Sequence, residues 1–94
     1  MKLEAPRTQI SLGRTVITAN AMASLDPDSV QQARRRHATG DWGDLSPEDR
    51  QENDLSAREG FRILTAYTDT LGTKFWIITE ADRSATTVLL PEDC

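Results

Sequence analysis

The chain has one cysteine, one histidine, one tyrosine and no glycine-rich phosphate loop, and its apolar residues never run on for long. Each scarcity removes a class of function. The lone cysteine, Cys94, forms no intrachain disulfide and founds no multi-cysteine metal site, which fits a reducing compartment. A membrane span needs about 18 or more consecutive apolar residues and a secretion signal needs an apolar stretch near the N-terminus. Neither pattern occurs, Met1 to Pro6 being mixed, so the cytoplasm is the expected location and no membrane partner is expected. Without a G-x-x-x-x-G-K or G-x-G-x-x-G motif, no nucleotide cofactor is called for.

What is present describes one small globular domain. Ninety-four residues with 37% hydrophobic and 28% charged side chains suffice for a single thin core. Fifteen acidic against eleven basic side chains give a net charge of -4. Such a domain is repelled by phosphate backbones, so nucleic acid is disfavoured as a partner. The run Arg34-Arg35-Arg36-His37 is the exception, a basic turn able to meet a phosphate or a partner carboxylate locally, although a solvated helix face is the plainer reading.

Residues 1–11 lack periodicity and contain Pro6, so they read as a flexible tail, with the domain at 12–94. Arg14 to Thr18 is β-branched and follows Gly13, as a short strand would. Thr18 can cap a short helix over Ala19 to Leu25. Asp26-Pro27 starts a second helix reaching about Ala38 and stopped by Gly40, and Ser46-Pro47-Glu48-Asp49 starts a third over Pro47 to Arg58, stopped by Gly60. From Phe61 the apolar period changes to two. Phe61 to Tyr67, Lys74 to Glu80 and Thr86 to Leu90 are the expected strands of an antiparallel β-meander, the apolar run Phe75-Trp76-Ile77-Ile78 placing the second in the middle. The fold class is therefore α+β: a short N-terminal strand, two or three helices, then a three-stranded meander. An open edge on the first or third meander strand would permit a dimer.

Several polar residues are candidates for a site. His37, at a helix end, either caps the last carbonyls or carries protons. Trp42 in the loop Asp41-Trp42-Gly43-Asp44 either plugs the core edge or meets a partner, and the loop lacks the carboxylate spacing of a calcium site, so no metal is expected. Asn53 on the third helix is a candidate hydrogen-bonder. Tyr67, Trp76, Glu80, Asp82, Arg83, Thr86 and Thr87 come from the meander, where Asp82-Arg83 is most simply a turn-stabilising pair. If the end of the second helix meets that turn, Asp82 or Glu80 would hold the His37 imidazole and raise its pKa.

Three segments carry a resemblance: Arg36 to Leu45 (RHATGDWGDL), Glu59 to Tyr67 (EGFRILTAY) and Trp76 to Pro91 (WIITEADRSATTVLLP). The chain resembles small bacterial plasmid-related proteins of plasmids, prophages and integrated elements over about residues 12–93. Some of these carry a restriction-modification label, but a methyltransferase or helicase core does not fit in 94 residues. The resemblance implies a setting in mobile elements and brings no activity with it.

Two functions follow as expectations. One is a non-enzymatic accessory module that docks on a host or mobile-element protein through the Trp42 loop and an acidic surface. The other is a small metal-independent ribonuclease or toxin-like enzyme. There His37 would move the proton, Arg83 would stabilise the developing phosphorane charge, and Thr86, Tyr67 or Glu80 would position the 2′-hydroxyl.

Overall fold

Three side chains fix where the helices begin, and each is a cap read from the sequence. In the computed structural model, which describes residues 9–94, the Thr18 hydroxyl accepts from the Ala21 amide, the Asp26 carboxylate from Ser29 and the Ser46 hydroxyl from Asp49. They open α1 (Ala19–Ser24), α2 (Pro27–Ala38) and α3 (Pro47–Glu59). Gly60, at φ 82°, ends α3 in the left-handed conformation. The strands are β1 (Arg14–Ile17), β2 (Ile63–Thr68), β3 (Lys74–Thr79) and β4 (Ala85–Leu89), followed by a 3₁₀ turn over Pro91–Asp93.

The expected meander is present as β2-β3-β4 with β3 in the middle, but the sheet is larger than expected. It is mixed and four-stranded, in the order β1-β4-β3-β2, and β1 lies parallel to β4 with Arg14 opposite Ala85 and Ile17 opposite Val88. The third meander strand is therefore internal. Gly13 makes this pairing possible: at φ 62° it passes so close to the β3–β4 turn that a Cβ would stand 2.4 Å from the carbonyl oxygens of Arg83 and Ser84.

Alternation along the strands decides the core. Ile63, Thr65 and Tyr67 of β2, Phe75, Ile77 and Thr79 of β3, and Thr86 and Val88 of β4 share one face and are buried. Ala21 of α1, Leu25 at its C-terminal cap and Ala33 of α2 pack onto it with Val30. Ile10, Trp42 and Ile63 form a second cluster with Leu12, Leu45 and Ala57. The buried Ile10, whose amide donates to the Ala38 carbonyl at 2.8 Å, belongs to the segment expected as tail; residues 1–8 of that segment lie outside the described residues.

The two edges of the sheet differ. Along β2 the outer carbonyls are taken: Asn53 Nδ2 donates to Leu64 O and the Asp44 amide to Ala66 O, both at 2.8 Å, and Gly43 bridges Ala66. Along β1, Arg14 N donates to Ser84 O and Thr18 N to Val88 O. Strand alternation then turns the N–H and C=O groups of Thr15 and Ile17 outward, and no backbone group among the described residues pairs with them. Among the described residues one edge is covered and the other is open.

Candidate functional site

His37 stands on the buried stripe of α2, one turn beyond Ala33, and is wholly enclosed. Its Nδ1 lies 2.7 Å from Thr65 Oγ1 and its Nε2 2.7 Å from Thr79 Oγ1. Thr79 Oγ1 lies 2.8 Å from Thr86 Oγ1, which donates to the Leu12 carbonyl at 2.7 Å. A hydroxyl has one proton, which fixes the whole chain of donors. Thr86 spends its proton on Leu12 and so accepts from Thr79; Thr79 therefore accepts from Nε2–H; Nδ1, left bare, takes the Thr65 proton at 2.7 Å in preference to the Ile77 carbonyl, which lies farther from Thr65 Oγ1 at 3.3 Å. The ring is the neutral Nε2–H tautomer.

Burial pushes the His37 pKa down to about 4, and the positive charge of Arg83 adds to the effect. The expectation of an imidazole held by Asp82 or Glu80 with a raised pKa is thus corrected: two threonines hold it, and its pKa is lowered. Capping is corrected too, since the ring points into the core and the last turn of α2 is closed instead by the Thr39 hydroxyl, which donates to Arg35 O and Arg36 O.

Trp42 plugs the core edge. It is buried, its ring meets that of His37 edge-on with centroids 6.2 Å apart, and its Nε1 donates to Asp54 Oδ1 at 2.9 Å. The docking role expected for Trp42 therefore has no exposed ring to act through. Asp41 forms a fork with Arg36, at 2.8 Å to Nε and 3.1 Å to Nη2, which holds its carboxyl below the usual range. That Arg36 lies 4.9 Å over the Tyr67 ring, and Tyr67 Oη donates to the Asp41 carbonyl at 2.7 Å. Burial raises the Tyr67 pKa, so the phenol stays protonated.

Arg83 is a clasp. Its own backbone is left-handed at φ 62°, and its guanidinium donates to Phe61 O at 2.7 Å and to Glu80 O and Ser56 O at 3.1 Å each, tying the β3–β4 turn to the end of α3. Asp82 Oδ1 accepts the Ser84 amide at 3.0 Å within the turn, and Glu80 is exposed. Asn53 is the covered-edge bond to Leu64. Trp76 is half-buried on the outer sheet face, opposite Ala66 and Leu89, and Thr87 shares that face. Of the expected site, then, His37 and Thr86 join through Thr79, Asp41 and Tyr67 join beside Trp42, and Arg83 is engaged elsewhere by backbone carbonyls.

The sequence reading missed a concave apolar surface on the open side of the molecule. A groove of about 390 Å³ runs between β1, α1 and α2, lined by Ile17 and Val88 below, by Met22 and Leu25 on one wall and by Val30 and Arg34 on the other. Met22 is 68% exposed and Val16, on the rim, 37%. The signal was available: with Ala21 and Leu25 inward at helical spacing, Met22 has to point out of α1. Arg34 Nη2 donates to Gln31 Oε1 at 3.0 Å, while its Nε is buried without a partner among the described residues.

Among the described residues, no three His, Cys, Asp or Glu side chains cluster as metal ligands, and no helix is long and apolar enough to cross a membrane. Comparison with protein-family models, curated proteins and solved structures finds no match to this chain.

Proposed function

We propose that the chain is a non-enzymatic protein-interaction module that takes an extended segment of its partner as an added strand on β1. The observation that carries this reading is the open β1 edge beside the apolar groove: free main-chain donors and acceptors supply register, and the groove supplies side-chain pockets. Natural sheets normally cover or charge such an edge, as this one does at β2. The ribonuclease alternative draws less support. Its proton carrier is enclosed by threonines and its arginine is saturated by carbonyls. Following the family resemblance, the partner is a host or mobile-element protein, met in the cytoplasm.

The test is a strand block. Thr15→Pro removes one of the two amides that point away from β4, which edge strands tolerate, and breaks the ladder an added strand would form by leaving only the Ile17 amide to donate. Random-peptide display against the wild type should enrich extended, alternating sequences that lose binding to a folded Thr15→Pro protein. Enriched peptides that bind Thr15→Pro undiminished would overturn the reading.

A further inference from the structure

We infer that the strand taken up at β1 is acidic and apolar: alternate apolar side chains enter the groove while a carboxylate pairs with Arg34 beside it. This rests on the strand-addition reading and adds the chemistry of the occupant.

Thr15 and Ile17 turn their main-chain groups outward. An added strand of four or five residues satisfies them and projects every second side chain toward α1 and α2. The groove, at about 390 Å³, lies at the small end of ligand sites and is walled by Met22, Leu25 and Val30, so it suits aliphatic side chains rather than a packed helix.

Arg34 supplies the polar half. Its Nε–H is a buried donor with no acceptor among the described residues, although its Nη2 reaches Gln31. A carboxylate presented to the Nε–Nη fork completes the guanidinium's bonding in the geometry that arginine favours, with a small turn of the side chain. The location is also set. α2 is capped by Asp26, whose amide donates to Asp69 in the β2–β3 hairpin, and by His37 it has reached Thr79 and Thr86 at the opposite end of the sheet. Arg34, in the second half of α2, therefore stands toward the end of the groove where β1 begins, and the carboxylate is placed near Thr15.

Net charge argues the other way, which makes the inference discriminating. A domain of charge -4 attracts a cationic peptide at long range, so a preference for an acidic one has to come from the local arginine.

The experiment uses two fluorescein-labelled heptapeptides whose groove-facing alternate positions hold two central valines and a charged residue at each end, with threonine between them: one has glutamate at both ends and the other lysine, so that either strand direction brings a charge to Arg34. Both are titrated by fluorescence polarisation into the wild type, Arg34→Met and Thr15→Pro, all checked for folding by circular dichroism. Arg34→Met keeps the apolar stem and removes the donors. The glutamate peptide should bind the wild type about tenfold or more tighter than the lysine peptide, and Arg34→Met should reduce that preference to less than about threefold. Equal binding of both peptides, or tighter binding of the lysine peptide, overturns the acidic assignment. If Thr15→Pro still abolishes both, strand addition itself stands. Glutamate-peptide binding unchanged in Thr15→Pro refutes strand addition as well. Sedimentation provides the remaining arm: a dimer of the wild type that Thr15→Pro dissolves would make a second copy of this chain the occupant and refute the peptide.

Discussion

Acidification from pH 7 to 4.5 should destabilise the domain chiefly through one residue. His37 titrates at about 4 in the fold because burial and the Arg83 charge both oppose its cation. The unfolded chain restores its ordinary value of about 6.5. Because the folded value is depressed, the unfolded state binds the proton first; the contribution is complete above about pH 6.5 and is lost as pH falls toward 4. A gap of about 2.5 units at 1.36 kcal/mol each amounts to about 3 kcal/mol, much of it lost by pH 4.5. That is a large part of the roughly 5–15 kcal/mol that stabilises a domain. The carboxyls held below their usual range, those of Asp41, Asp69, Asp82 and Asp93, begin to lose their contributions at about pH 5 and lose most of them below about 4, so the comparison with a variant that cannot charge isolates the histidine. Urea titrations at pH 7, 6, 5 and 4.5 should show a falling midpoint in the wild type and a flatter one in His37→Gln, which keeps a donor and an acceptor but cannot charge. A wild-type midpoint constant over this range, or an equal fall in His37→Gln, would refute the buried neutral imidazole.

Ile77→Ala, in the central strand and fully buried, should lose about 2–5 kcal/mol in urea titration, and a loss below about 1 kcal/mol would show that the site is poorly packed. Arg83→Ala should lose about 1–3 kcal/mol through its carbonyl bonds and keep the left-handed strain. Arg83→Gly should recover about 1 kcal/mol of that loss in melting experiments, since glycine adopts φ 62° freely. Gly43→Ala should unfold or rearrange the Trp42 loop, because a Cβ at φ 77° would meet Ala66 O at 2.1 Å; an unchanged Trp42 fluorescence spectrum would contradict this.

Local signals were legible in the sequence and distant ones were not. Thr18, Asp26 and Ser46 announced the helix starts because a cap acts over three residues, and the period-two pattern from Phe61 announced the meander. The parallel pairing of β1 with β4 joins Ile17 to Val88, partners that no periodicity links, so the meander alone leaves β4 at an edge. The His37 environment was partly legible. Val30, Ala33 and His37 share a helical face, and Thr65, Thr79 and Thr86 fall at inward strand positions, but their mutual register depends on which strands pair. Arg83 was read as a turn residue, correctly for its position; its reach to Phe61 and Ser56 follows from the packing of α3 against the turn, which the sequence does not encode locally.

The most direct test of the account is amide hydrogen exchange, read by NMR on the labelled protein with and without the glutamate-ended heptapeptide. Strand addition predicts a parity: the outward amides of Thr15 and Ile17 become protected in the complex, while those of Arg14 and Thr18, already bonded to Ser84 and Val88, change little. New protection at the Trp42 loop or along β2, with Thr15 and Ile17 still exchanging freely, would contradict it.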